Sequence, residues 1–153
     1  MNKTNKILIL ILFLLFASIL SAYIIEYALG HKPCALCVYQ RVPYIISILI
    51  LLNIIFIKKY VKFSLLILAF VSLCGSALAF YHFGIEQGFF TESFLCEIQN
   101  STQNLTKEDI LKELKGNTIS CKDVTFKVFG LSLASINAIF SLLLFYIFLK
   151  LFI

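Results

Sequence analysis

The chain has 153 residues, 61% of them hydrophobic and 14% charged. A soluble domain carries about 25% charged residues, so an ordinary water-soluble fold is excluded. The formal net charge of +5 sits in separate lysine clusters rather than one basic stripe, which excludes a nucleic-acid footprint.

Four apolar runs account for the excess: Ile7–Ile25, Val42–Ile57, Phe63–Phe83 and Val128–Leu149. A helix rises ~1.5 Å per residue, so about 20 residues cross the hydrocarbon core. The first, third and fourth runs suffice alone; the second does so if its helix begins at Cys37, with Arg41 snorkelling toward the headgroups. The pattern predicts an all-α membrane protein: one four-transmembrane-helix bundle over residues 1–153, with spans at about 7–25, 37–57, 63–83 and 128–149. Two outer loops, about 26–36 and 84–127, join them.

Charge sets the orientation. Lys3 and Lys6 precede the first span, Lys58, Lys59 and Lys62 separate the second from the third, and Lys150 ends the fourth. All eight acids lie on the other side. The positive-inside rule then puts both termini in the cytoplasm. The apolar part of the first run is longer than a signal peptide's, and Leu20 spoils the small-x-small pattern, so a retained first span is expected.

In the first outer loop, Gly30 and Pro33 punctuate the chain before Cys34-Ala35-Leu36-Cys37. A helix beginning near Cys34 puts Cys34, Cys37 and Arg41 on one face. The positive helix end and the arginine both lower thiol pKa values. The short link between the second and third spans predicts antiparallel packing. The third span is rich in small residues, as tight helix contacts require. Its Cys74 lies near mid-bilayer and is expected to be a buried structural thiol. Tyr81 and His82 close this span on the outer side, where a histidine serves equally as an interfacial residue or a functional one. In the second outer loop, Thr106 with an acid at Asp109 reads as a capping box, followed by an apolar edge at Ile110, Leu111 and Leu114; a short interfacial helix is expected there.

The orientation puts Cys34, Cys37, Cys96 and Cys121 outside, where disulfides are permitted. Three readings are open: two exchanging redox disulfides, one four-thiolate zinc site, or inert bridges. Zinc sites usually pair closely spaced cysteines, whereas 24 residues separate Cys96 from Cys121. Such a loop gains about 3–4 kcal/mol from closure in the chain-entropy model. A CxxC ring is small and labile. One stable pair and one labile pair favour a relay.

The stretch Lys32-Pro33-Cys34-Ala35-Leu36-Cys37-Val38-Tyr39-Gln40-Arg41 resembles the signature of the bacterial disulfide bond formation protein B (DsbB) family. The likeness continues through Tyr81-His82-Phe83-Gly84-Ile85-Glu86, Cys96, Cys121, Phe129-Gly130-Leu131-Ser132 and Asn137. The resemblance implies an inner-membrane thiol:quinone oxidoreductase that reoxidises a DsbA-like periplasmic thioredoxin-fold oxidase, drawing on the ubiquinone or menaquinone pool. It implies that Cys96 is attacked by the partner and that Cys121 is its mate. Cys34 and Cys37 then pass electrons to quinone, with the Cys37 thiolate facing the ring, and Arg41 and His82 lie beside the quinone. No resident metal is implied, and Glu86 has no defined role. The chain departs from many relatives in lacking tryptophan, with Phe126 at that place, and in carrying Gln40 where some have an acid. Membrane enzymes like vitamin K epoxide reductase use similar chemistry, but there the loop cysteines precede the CxxC; here the order is reversed. The non-enzymatic alternative is a membrane protein binding metal through four thiolates.

Overall fold

The computed structural model describes residues 3–31, 33–58, 60–90, 127–128 and 131–153. Cys96, Cys121, Phe126 and the expected interfacial helix lie outside the described residues.

Helix α1 (Lys3–Tyr23) passes into a π-helical turn, Ile24–Ala28. Near its end Ser18 and Ser21 donate hydroxyl bonds back to the carbonyls of Leu14 and Ser18, a contact that bends helices. Gly30 stops the turn at φ +70°, a conformation glycine adopts without a Cβ penalty.

The second span comes in two pieces, α2 (Ala35–Tyr39) and α3 (Arg41–Ile57), with a turn at Gln40. Pro43 is the physical reason: it offers no N–H to the Tyr39 carbonyl, and its ring crowds that group. The span therefore begins at Ala35, earlier than the expected Cys37, and is broken beside Arg41. Lys58 and Tyr60, both with positive φ (55° and 56°), make the tight link to α4 (Val61–Glu86).

Helix α4 outruns its expected end at Phe83 by about a turn. It closes on a Schellman motif: Phe89 N–H donates to Gly84 O at 2.8 Å and Gly88 N–H to Ile85 O at 3.0 Å, with Gly88 at φ +79°. The extra turn carries Glu86 into the helix, one turn after His82. The fourth span begins at Leu133 rather than Val128, because a two-stranded antiparallel ribbon precedes it. There β1 (Lys127–Val128) pairs with β2 (Leu131–Ser132), Val128 opposite Leu131. Ser132 then caps α5 (Leu133–Phe152) by accepting from Ser135 N–H at 3.2 Å.

These pieces form an all-α bundle with four helical segments long and apolar enough to cross a membrane. Helices α4 and α5 make the most extensive contact, and α3 packs on both α1 and α4. Small residues permit it: Ser72, Gly75 and Ala79 are buried on α4, and Ser76 donates to Ala138 O of α5 at 3.4 Å. A Cβ on Gly75 would lie 3.3 Å from Pro43 Cβ and 3.7 Å from Ser141 Oγ. The apolar core of Leu8, Leu15, Leu51, Leu68 and Phe148 fills the end away from the dithiol. Phe13, Phe56, Phe70 and Phe80 point outward. Cys74 also points outward, so the expected buried thiol is corrected: the α4 face that packs inward is Ser72, Gly75 and Ala79, and Cys74 falls on the opposite one.

Candidate active site

Cys34 is the N-cap of α2, with extended backbone (φ −72°, ψ 167°). Pro33 before it disfavours helical geometry at its predecessor and leaves the helix free to start at Ala35. The Cys34 Sγ accepts from the Cys37 backbone N–H at 3.3 Å, and the two sulfurs lie 2.8 Å apart. The i, i+3 spacing over one helical turn thus brings the thiols within reach of a single bond. Cys34 is buried; Cys37 is partly exposed.

From α4, His82 places Nε2 3.5 Å from Cys34 Sγ. Leu36, Ile85, Leu78 and Tyr81 pack around the pair and shield it. The Cys37 thiol, as donor, is the strongest influence on Cys34. Burial opposes it, and His82 and the Cys37 backbone N–H add to it; the net result holds Cys34 at about 5, well below the usual 9.0. The helix end therefore acts on Cys34. The expected helix start near Cys34 is met, and the N-cap position decides which of the two thiols the helix end acts on.

Arg41 turns toward α1. Its Nη1 lies 2.6 Å from Glu26 Oε2, and its guanidinium sits 4.9 Å over the Tyr23 ring. The N–H bonds do not aim at that oxygen, which has no aligned donor among the described residues; the contact is charge pairing plus cation–π attraction. The π-helical turn is what brings Glu26 there, and π turns recur at functional sites.

Four further residues complete the site. Glu86, one helical turn beyond His82, has Oε1 3.7 Å from Nε2 and a side chain only 6% exposed; its Oε2 is buried without a hydrogen-bond partner among the described residues. Gln40 Nε2 lies 2.9 Å from His82 Nδ1. Asn137 Nδ2 donates to Gln40 Oε1 at 2.6 Å, and the Tyr44 hydroxyl donates to Asn137 Oδ1. Sequence signals for them exist in retrospect. His82 and Glu86 stand at i, i+4, and Asn137 is a lone amide in an apolar run, which calls for a partner.

The ligand atoms of Cys34, Cys37 and His82 all lie within 4.8 Å of one another. In the reduced state this thiolate–imidazole set suits zinc chemically. It differs from the four-thiolate set considered from sequence, half of which lies outside the described residues.

Comparison with known proteins fits this geometry. A family model described as "Disulfide bond formation protein DsbB" matches residues 4–151. An uncharacterized protein of Rickettsia prowazekii (strain Madrid E) is 32% identical over 147 residues, covering 93% of this chain and 86% of that protein. The SPbeta prophage-derived disulfide bond formation protein B of Bacillus subtilis (strain 168) is 36% identical over 90 residues, 59% of each chain. No solved structure matches. With a membrane bundle, a CxxC dithiol at its rim and a family match over nearly its whole length, this chain belongs to the DsbB family of disulfide-generating membrane proteins.

Proposed function

We propose that the protein is a thiol:quinone oxidoreductase of the bacterial inner membrane that reoxidises a DsbA-like periplasmic thioredoxin-fold oxidase. The observation that carries this reading is the Cys34–Cys37 pair at a helix N-terminus, beside His82, at the end of an apolar bundle. The lysine distribution supports cytoplasmic termini and periplasmic redox loops.

The relay is a sequence of balanced exchanges. A partner thiolate attacks Cys96 of a Cys96–Cys121 disulfide. The Cys121 thiolate leaves, and the partner's second thiolate displaces Cys96, so the partner becomes oxidised. The Cys121 thiolate attacks Cys34 of the Cys34–Cys37 disulfide, releasing Cys37. Cys96 then displaces Cys34, restoring the loop disulfide. The net result is two electrons and two protons moved to the Cys34–Cys37 dithiol.

A membrane quinone, when bound, supplies the acceptor for those two electrons and two protons. The donor set fits such a group. A quinone carbonyl accepts hydrogen bonds, and Arg41 carries five N–H donors and is paired with the carboxylate of Glu26. Cys37 is the less buried thiol. Arg41 would hold a carbonyl oxygen and favour negative charge there; Cys37 would face the ring, and His82 would lie behind Cys34. The reduced pair rests with charge on Cys34 and the Cys37 thiol donating to it.

The test is anaerobic mixing of the purified protein with a ubiquinone or menaquinone analogue and a reduced thioredoxin-fold oxidase. Quinone reduction that depends on Cys34, Cys37, Cys96 and Cys121 is expected. No quinone reduction with any partner would overturn the reading. A zinc reading has its own support in the Cys34, Cys37 and His82 cluster. Stoichiometric zinc in the protein as purified, lost on blocking the thiols, would favour it.

A further inference from the structure

We propose that Gln40, Asn137 and Tyr44 are positioning residues. Together they form a directed hydrogen-bond chain that fixes the ring proton of His82 on Nε2, where it faces the Cys34 sulfur. The chain joins α3, α5 and the α2–α3 turn to α4; Gln40, Tyr44 and His82 are buried and Asn137 is partly so.

Its direction follows from what each atom is able to do. A phenol or serine hydroxyl buried in an apolar bundle needs an acceptor for its proton. The hydroxyls of Tyr44 and Ser141 converge on one atom of Asn137, Oδ1, the Ser141 contact being 3.4 Å. That atom accepts only, so the Asn137 amide is oriented with Nδ2 turned the other way. Nδ2 donates only, and it meets Gln40 Oε1 at 2.6 Å. Gln40 must then present Nε2, a pure donor, to His82 Nδ1 at 2.9 Å. A nitrogen that receives a hydrogen bond carries no proton of its own. Whenever the imidazole is neutral, its single ring proton is thereby placed on Nε2.

Among the described residues two acceptors face Nε2: Cys34 Sγ at 3.5 Å and Glu86 Oε1 at 3.7 Å. His82 is thus a hydrogen-bond donor to the Cys34 thiolate, and it does not take the Cys34 proton. Its ring is locked because both nitrogens are engaged. Reversing the chain would turn Nε2 into an acceptor and remove a donor from Cys34. That Asn137 and Tyr44 act at a distance through a histidine tautomer is a statement about geometry alone. Only its consequence for turnover rests on the quinone-coupled reading above.

The test exploits the presence of just two histidines, His31 and His82. Label the full-length protein with ¹⁵N-histidine, assign His82 with a His31→Gln variant, and read the tautomer from the two ring nitrogens. In wild type Nε2 should carry the proton and Nδ1 should show the shift of an unprotonated nitrogen. Gln40→Glu keeps the shape but replaces the donor by an acceptor, so the proton should appear on Nδ1. Asn137→Leu frees the Gln40 amide and should give a mixture of both tautomers. A protonated Nδ1 in wild type would overturn the proposal, as would a tautomer unchanged in Gln40→Glu. If Asn137→Leu fails to fold, the isosteric Gln40→Glu still decides. A second readout is alkylation of Cys34 as the single cysteine, with Glu86, an ionisable neighbour of His82, left in place. In Asn137→Leu the donor is lost from part of the molecules, so alkylation at pH 6 should slow by up to about two-fold; an unchanged rate there would remove the link between the chain and Cys34. Neither readout needs quinone or partner, so a failure of the thiol:quinone reading would leave this result standing, and the reverse.

Discussion

Cys34 stores its effect in one thiolate. Its folded value of about 5 lies below the 9.0 of an ordinary cysteine. The folded, reduced state is therefore favoured in full above pH 9, and that contribution is lost as pH falls through about 5. The thermal midpoint of the reduced protein, compared with Cys34→Ser in the same detergent, should rise between pH 5 and pH 9; a flat difference would mean that the thiolate is not held by the fold. Arg41 invites a second substitution. Its ion pair with Glu26 and its place over Tyr23 fix the guanidinium. On the proposed function, Arg41→Met should weaken quinone use by roughly ten- to a hundred-fold, since one charge-assisted contact is worth about 1.5–3 kcal/mol. A single turnover of partner oxidation by the pre-formed disulfides should survive. Wild-type quinone kinetics in Arg41→Met would reduce it to an anchor for α1, and Glu26→Gln separates the two by releasing the arginine without removing it.

Among the helices, three glycines of or just after α4 do different work, and substitutions tell them apart. Gly88 has open space around its missing Cβ but a φ of +79°, so Gly88→Ala should cost about 1–2 kcal/mol through the left-handed backbone alone. A Cβ at Gly84 would lie 2.3 Å from the Phe90 ring, which stacks on Tyr81 with centroids 5.5 Å apart. Gly84→Ala should displace that ring, and Phe90→Ala should restore most of the loss. Gly75 meets the stiff ring of Pro43, which cannot swing aside, so Gly75→Val should push α3 from α4 at a cost of about 1–3 kcal/mol. Denaturation midpoints in detergent check these costs. A cost below about 1 kcal/mol for Gly75→Val would show that the α3–α4 contact is looser than it looks.

For the molecule as a whole, orientation is what the proposed relay requires. A membrane-impermeant thiol reagent applied to reduced spheroplasts should label cysteines of the two outer loops and spare Cys74. Because Cys74 lies on an outward face of α4, a lipid-soluble maleimide should reach it in the same cells. Protection of Cys96 and Cys121, together with labelling of a Tyr60→Cys variant, would invert the orientation and sink the inner-membrane reading.

Four spans, their lysine signature and the Cys34–Cys37 spacing were legible in the sequence, because each depends on local quantities: run length, charge between runs, and helical period. The dithiol could be found because two cysteines three apart must meet on one turn wherever that turn lies. What the sequence did not disclose is which side of each apolar helix faces inward. When both lipid and core are apolar, hydrophobic pattern carries no such information, and so Cys74 was read as buried. The break at Gln40 was in reach, since Pro43 marks it, but its effect was to turn Arg41 toward Glu26 on another helix. The chain from Tyr44 through Asn137 and Gln40 to His82 and Cys34 was decided only by tertiary structure. Its bonded neighbours are up to 97 positions apart in sequence, and a buried amide or phenol chooses its partner by proximity in the folded bundle, where an unpaired group is costly.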